Sequence, residues 1–127
     1  MSQQFQSSGV HVIADLYGID ADKLRDPVGL ARLLNDAAKQ AGATTLHCDF
    51  HQFGEGSGVT GVVMLAESHI SIHTWPESGF AALDIFMCGA AQPKHALGCI
   101  ELVLQPRNRR VHEIARGTCP SGPLVSP

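Results

Sequence analysis

The chain has no apolar segment long enough to cross a membrane. A spanning helix needs roughly 20 consecutive apolar residues, and the longest apolar runs, such as Gly61 to Ala66, are far shorter. The polar N-terminus also lacks the apolar stretch that is typical of a secretion signal. We therefore expect neither a membrane protein nor a secreted one, and the sequence predicts a cytoplasmic location.

Charge is scarce as well, because Asp, Glu, Lys and Arg together make up 17% of the chain. The formal net charge is -3 at pH 7, and the largest basic group consists of Arg107, Arg109 and Arg110. Nucleic-acid-binding domains present a basic patch or stripe to the phosphate backbone. A nucleic acid is therefore not an expected partner.

Closely spaced cysteine pairs are also lacking. The four cysteines, Cys48, Cys88, Cys99 and Cys119, form no CxxC motif. Disulfides are typical of exported proteins, and the sequence shows no export signal. We expect free thiols, one of which is a candidate for a chemical role.

Helical and strand patterns follow one another in an order that indicates the fold. A length of 127 residues, 44% of them hydrophobic, suits one domain with a real core. Asp26 and Pro27 resemble a helix cap and first-turn proline, and Gly42 ends the helical spacing that follows. The predicted elements are strand 10–17, helix 27–41, strands 44–53, 59–67, 68–75 and 80–88, helix 93–104 and strand 109–115. This order predicts an α+β fold, a two-layer sandwich with a mainly antiparallel sheet and two helices on one face.

The stretch from Ala66 to Glu77, which reads AESHISIHTWPE, concentrates chemically reactive side chains. On a strand, alternate side chains share a face, so His69 and His73 point the same way. Ser68 points to the other face unless the strand end redirects it. The spacing alone therefore does not bring Ser68 next to His73.

Residue types leave three interpretations of this stretch open. The first is a zinc site, because imidazole and thiolate are zinc ligands; its candidate ligands are His69 and His73 with His47, Cys48 or His51. The second is a hydrolase that uses Ser68 or Ser71, although the GxSxG pattern of a nucleophile elbow is absent. The third is a half-buried strand whose histidines are satisfied by their neighbours.

A family resemblance indicates a different function for this stretch. AESHISIHTWPE, followed by GFAALDIFMCG, resembles the processing and catalytic core of the bacterial and archaeal S-adenosylmethionine decarboxylases. Further segments are similar to the family in the same order, through roughly residues 10 to 117: His11 to Tyr17, Phe50 to Phe53, Val59 to Val63, and Arg110 to His112. The resemblance implies an enzyme, specifically a carboxy-lyase.

The resemblance implies that the chain is made as a proenzyme. Ser68 would attack the carbonyl of Glu67 and convert the peptide bond to an ester, and His73 would act as the processing proton acceptor. Elimination and hydrolysis would then leave a pyruvoyl group at position 68. A single domain, 1–127, would thus become a β chain, 1–67, and an α chain, 68–127.

The pyruvoyl group would be the cofactor by the same resemblance. Its carbonyl would capture the amine of S-adenosylmethionine as a Schiff base and accept the electrons released with carbon dioxide. No pyridoxal phosphate and no metal are expected, and Cys88 would donate the proton to the decarboxylated carbon. The product would serve as an aminopropyl donor for spermidine synthesis.

The remaining site residues are also named by similarity. Glu77 would hold the ribose hydroxyls, and Phe53 would stack on adenine. The family usually has serine where this chain has Thr60, a position that supports processing through a hydrogen bond. Threonine keeps the hydroxyl, so we expect self-cleavage to be retained. Glu55 lies in a glycine-rich loop, 54–58, that is longer than usual and would place a carboxylate near the substrate.

Two alternative functions remain, and the chain is expected to pair with a second copy. Glu55 could pair with a guanidinium or ammonium group, which would make the chain a pyruvoyl-dependent arginine or ornithine decarboxylase. An unprocessed, non-catalytic homologue is the other alternative, although the intact Ser68, His73 and Cys88 oppose it. The resemblance also implies a homodimer of β/α pairs with active sites near the interface.

Overall fold

The protein folds around one six-stranded sheet in which all neighbouring strands are antiparallel. The structure is a computed structural model that describes residues 8–117. Its strands are β1 (Gly9–Tyr17), β2 (Thr45–Gln52), β3 (Val59–Leu65), β4 (Ser68–Trp75), β5 (Phe80–Cys88) and β6 (Asn108–Arg116). The strand order is β2-β3-β4-β5-β1-β6, so the first strand lies between the last two in sequence.

Within residues 8–117, three α-helices accompany the sheet: α1 (Ala21–Leu24), α2 (Pro27–Gln40) and α3 (Pro93–Leu104). The predicted α+β sandwich is confirmed, with helices α2 and α3 in the expected places. The short α1 was not predicted, because four residues are too few to show a helical period. The side chain of Asp20 caps it by accepting a hydrogen bond from the Asp22 N–H at 3.4 Å.

Helix α2 follows from local sequence signals. The carboxylate of Asp26 accepts a hydrogen bond from the Gly29 N–H at 3.0 Å, and Pro27 occupies the first turn. Beyond the helix, Gly42 has a φ of 85°, which glycine adopts at no steric cost. The apolar stripe between these ends packs against the sheet; it comprises Leu30, Leu33, Leu34, Ala37 and Ala38.

The two faces of the sheet have different surroundings. On β4, Ile70 and Ile72 are fully buried under the helices, whereas His73 and Trp75 point to the opposite side and are exposed. We call this opposite side the open face. Its side chains in the four central strands are His11, Ile13, Asp15, Tyr17, Thr60, Val62, Met64, His69, Ser71, His73, Trp75, Phe80, Ala82, Asp84, Phe86 and Cys88. Ile13, Met64 and Trp75 are 36%, 50% and 41% exposed, so large apolar groups lie uncovered there.

Helix length gives one further structural fact. Within residues 8–117, no helix combines the length and the apolar character needed to span a membrane.

Thr74 joins three parts of the core through its hydroxyl. Its Oγ1 donates to the Leu24 carbonyl at 2.6 Å and accepts from the Val59 N–H at 2.9 Å. Thr74→Val should lower the free energy of unfolding by about 2 kcal/mol, because it leaves two buried backbone groups without partners. Urea unfolding of the variant and of the parent chain measures this loss.

Thr45 offers a matched control for that substitution. Its buried Oγ1 has no hydrogen-bond partner among the described residues, so Thr45→Val should be neutral or stabilising. Equal losses from the two substitutions would mean that the Thr74 hydrogen bonds contribute nothing to stability.

Candidate active site

A tight turn holds the expected cleavage position. Leu65 and Ser68 are paired residues of β3 and β4, so Ala66 and Glu67 alone connect the strands. Glu67 has a φ of 61°, a left-handed conformation that is uncommon outside glycine. Such backbone strain costs about 1–3 kcal/mol and persists only where the surrounding structure imposes it.

Cys88, the last residue of β5, lies beside this turn. Its N–H donates a hydrogen bond to Ser68 Oγ at 3.2 Å, and its thiol donates to the Glu67 carbonyl oxygen at 3.4 Å. The nucleophile candidate and the carbonyl that it would attack therefore both contact one cysteine. We call Glu67, Ser68 and Cys88 the cleavage group.

A second group occupies the far end of β4. Thr60 and His73 are paired across β3 and β4, and Thr60 Oγ1 lies 3.1 Å from His73 Nδ1. Both line a cavity of about 230 Å³ together with Phe53 and Glu77. We call Phe53, Thr60, His73 and Glu77 the pocket group. Glu77 stands in the first turn of a 3-10 helix, Pro76–Ser78, directly after β4.

Glu55 does not belong to this cavity. It is exposed at the tip of a loop in which Gly54 and Gly56 have φ values of 125° and 75°. Hydrogen bonds from the Phe53 N–H to the Gly58 carbonyl and from the Ser57 N–H to the Gly54 carbonyl close the loop. The cavity lining includes Gly58 but not Glu55.

The two groups are separated within one chain. Ser68 and His73 are five residues apart on a single extended strand, which corresponds to roughly 16 Å. His73 therefore cannot reach the Ser68 alpha proton of its own chain. The structure brings Glu67, Ser68 and Cys88 together at one end, and Thr60, His73, Phe53 and Glu77 at the other.

The zinc interpretation receives no support from this arrangement. His69 and His73 share the open face but are four strand residues apart, roughly 13 Å, whereas zinc–nitrogen bonds are about 2 Å long. His69 instead lies near His11 and Asp84. The His11 imidazole already pairs with the Asp84 carboxylate, and a guanidinium nitrogen of Arg116 lies 3.3 Å from His11 Nδ1. The guanidinium of Arg116 thus lies beside the His11 imidazole.

An aromatic stack on the open face was not predicted from the sequence. The Tyr17 and Phe80 rings are stacked with centroids 5.2 Å apart, and the Phe80 and Trp75 rings are stacked at 5.1 Å. The alternation within each strand indicates which face the rings occupy. Their contact depends on the register between β1, β4 and β5, which no local pattern reveals.

The other cysteines differ from Cys88 in their surroundings. Cys48 and Cys99 carry free thiols, and Cys119 lies outside the described residues. Burial, with a smaller contribution from the negative charge of Asp36, raises the pKa of the Cys99 thiol above its ordinary value. A raised pKa disfavours the reactive thiolate, which agrees with a packing role for Cys99.

Comparison with known proteins identifies the family. The profile described as S-adenosylmethionine decarboxylase matches residues 10–117, which include both groups. The chain belongs to the S-adenosylmethionine decarboxylase family. A relative from Methanococcus maripaludis, named S-adenosylmethionine decarboxylase proenzyme, is 44% identical over 115 residues, 90% of this chain and 93% of the relative.

Further relatives extend the family likeness to the fold. A protein of the same name from Aquifex aeolicus is 45% identical over 108 residues, which cover 83% of this chain and 79% of that protein. The crystal structure of the adenosylmethionine decarboxylase from Aquifex aeolicus superposes with a TM-score of 0.82 at 38% identity. The match covers 94% of this chain and 99% of the Aquifex aeolicus chain, so the two proteins share the same fold.

Proposed function

We propose that this family member is a proenzyme that cuts itself between Glu67 and Ser68 and then decarboxylates S-adenosylmethionine. One observation carries the proposal: a strained turn presents the Glu67 carbonyl to the Cys88 thiol, while the Cys88 N–H binds the Ser68 hydroxyl. Family membership and the relatives named as proenzymes support the same activity.

Self-cleavage would begin at the carbonyl of Glu67. The Ser68 hydroxyl oxygen adds to the carbonyl carbon, the C–N bond breaks, and the amine takes up a proton, which gives an ester. The Cys88 thiol favours this step because its hydrogen bond polarises the carbonyl. Cleavage also releases the strain at Glu67, since the residue becomes a free chain end.

Removal of the Ser68 alpha proton would complete the cut. The electron pair of that C–H bond forms a double bond in Ser68, and Glu67 leaves as a carboxylate. Water then adds, ammonia is released, and a pyruvoyl group remains at position 68. His73 is the proposed proton acceptor, and the Thr60 hydroxyl 3.1 Å from its Nδ1 supports its orientation.

The distance between Ser68 and His73 of one chain supports a site that two chains share. We propose a homodimer in which two open faces pack together, so that the cleavage group of one chain meets the pocket group of the other. The uncovered apolar side chains Ile13, Met64 and Trp75 support burial of this face. Two sheets that pack face to face lie about 10 Å apart, close enough for side chains from both to share a site.

The position of the two-fold axis follows from this proposal. The axis would cross β4 midway between Ser68 and His73, so the two β4 strands would run antiparallel. Ser71, which is paired with Asp84 and Val62, would lie beside its own copy. Phe86 and Ala82 stand two residues to either side of Asp84 on β5. Phe86 would therefore face the small Ala82 of the partner subunit, which favours close packing.

The pocket group is suited to an adenosyl ligand. Phe53 is 65% exposed and lines the cavity, so its ring is available to stack on a base. The Glu77 carboxylate, on the same lining, can accept hydrogen bonds from a ribose diol. Both side chains would act on substrate that is held at the cleavage group of the partner subunit.

The cleavage group fits the pyruvoyl chemistry of the family. Ser68 is the first residue of β4 and pairs with Leu65 of β3, so a new chain end there would stay fixed to the sheet. A pyruvoyl group supplies a carbonyl that binds the substrate amine and accepts electrons from the broken carbon–carboxylate bond. The Cys88 thiol, next to this position, would return a proton to the substrate carbon.

The first experiment is an intact mass spectrum of the purified protein under denaturing conditions. We expect two fragments, 1–67 and 68–127, with the second blocked by pyruvoyl at its N-terminus. Ser68→Ala is the control and should give one uncut, inactive chain. A wild-type chain that stays in one piece, or cleavage of Ser68→Ala, would contradict the proposed mechanism.

Substrate choice is tested on the cut enzyme. Carbon dioxide release should be much faster from S-adenosylmethionine than from arginine or ornithine, because Phe53 and Glu77 suit an adenosine and Glu55 lies outside the cavity. Faster release from either amino acid would contradict the substrate assignment while leaving the self-cleavage proposal intact.

A further inference from the structure

Gly9 packs directly against the cleavage group. It is the first residue of β1 and the paired neighbour of Cys88. A Cβ atom at Gly9 would lie 2.7 Å from the Met87 carbonyl oxygen and 3.0 Å from both Cys88 Sγ and Phe86 Cε1. The backbones of β1 and β5 therefore approach each other too closely here for any side chain.

The need for glycine at this position is steric. Gly9 is not among the glycines with positive φ, so the backbone conformation itself would accept another residue. The nearest obstacle is the Met87 carbonyl, which belongs to the backbone and cannot rotate away. An added methyl group would therefore push the end of β5, including Cys88, away from β1.

Displacement of Cys88 would disturb two contacts at the cleavage position. The Cys88 N–H binds Ser68 Oγ, and the Cys88 thiol binds the Glu67 carbonyl oxygen. We infer that Gly9 is a positioning residue. Because it has no side chain, β1 can lie close to the end of β5, and this close packing keeps Cys88 next to the Glu67–Ser68 bond. The inference rests on the proposed function, because it assigns Gly9 to self-cleavage and to the later proton transfer by Cys88.

The location of Gly9 separates this role from a general contribution to stability. Gly9 and Cys88 are the terminal residues of β1 and β5, and seven further residue pairs hold these strands together from Val10 to Leu16. Strand ends open at lower cost than strand centres. Gly9→Ala should therefore disturb Cys88 geometry more than it disturbs the stability of the sheet.

The test compares three glycine-to-alanine variants made by cell-free translation, with self-cleavage followed over time on gels. Gly9→Ala should slow cleavage about 10- to 100-fold, because it displaces the Cys88 N–H that holds Ser68 Oγ, and misplacement by about 1 Å costs up to that factor. Gly98→Ala, where a Cβ meets nothing within 4 Å, should cleave like the wild type. Gly29→Ala, which crowds the Asp26 cap of α2, shows how loss of stability alone affects the rate.

Two further readouts separate positioning from folding. In the cut enzyme, Gly9→Ala should lower kcat and leave KM unchanged, because Gly9 packs against β5 and not against Phe53 or Glu77, which would bind the adenosine. In a chain whose other cysteines are replaced by serine, Gly9→Ala should also change the alkylation rate of Cys88. Wild-type rates of cleavage and alkylation in Gly9→Ala would overturn the inference, as would losses equal to those of Gly29→Ala.

The proposed function and the role of Gly9 can fail separately. A wild-type chain that does not cut itself overturns the proposed function, and Cys88 alkylation still tests the contact with Gly9. A wild-type chain that cuts itself, together with a Gly9→Ala variant that does so equally fast, overturns only the role of Gly9.

Discussion

Chains that carry Ser68→Ala and chains that carry His73→Ala should restore self-cleavage when they are produced together, although neither cuts itself alone. A mixed dimer has one site that combines Ser68 from the His73→Ala chain with His73 from the Ser68→Ala chain. That site is intact, because Ser68 and His73 of one chain are roughly 16 Å apart and the proposed site uses one from each chain. Up to about half of the His73→Ala chains should be cut if the chains pair at random as two-fold dimers.

Mass tags on the two chains make this result unambiguous. Only the His73→Ala chain should appear as fragments 1–67 and 68–127, because the other chain lacks the attacking hydroxyl. Ser68→Ala produced with Thr45→Val is a suitable control for pairing, and there the Thr45→Val chain should be cut fully. No cleavage in a mixture that forms mixed dimers would mean that each site lies within one chain.

Cys88→Ala should separate self-cleavage from turnover. The substitution keeps the backbone N–H that binds Ser68 Oγ at 3.2 Å, so the chain should still cut itself. It removes the thiol that would return a proton to the substrate carbon, and loss of a general acid lowers rates about 10²- to 10⁴-fold. We therefore expect two fragments of normal mass and a kcat for S-adenosylmethionine reduced by at least about 100-fold.

Cys48→Ala provides the control for that measurement. Cys48 is an exposed thiol on β2, away from both groups, and its loss should leave cleavage and kcat unchanged. Normal turnover by the cut Cys88→Ala enzyme would remove Cys88 from the proton-transfer step. The role of its N–H in self-cleavage would stand.

Local sequence signals were sufficient for most of the secondary structure. Helix α2 begins at Pro27 after the Asp26 cap and ends before Gly42, as expected, because caps and helix breakers act within a few residues. The alternation of Ile70 and Ile72 with His69 and His73 likewise assigned each side chain of β4 to the correct face. Helix α1 was missed because its four residues contain no full period.

Long-range pairing limited what could be predicted of the site. The glycine-rich loop indicated that Glu55 would lie near the substrate. Its side chain is exposed at the loop tip and outside the cavity lining, and its role stays a prediction. The contact between His11 and Asp84 joins residues 73 positions apart, and it exists because β1 inserts beside β5. The residue pattern within β1 or β5 does not indicate that the two strands are neighbours.

By itself, the sequence determined the strands, helices α2 and α3 and the resemblance to the decarboxylase family, because caps, alternation and motifs are local properties of the chain. Only the tertiary structure decided that Cys88 contacts the Glu67–Ser68 bond, that Gly9 packs against Cys88, and that His73 lies at the opposite end of β4. These relations depend on strand order and register, which are set when distant segments bury their apolar faces together.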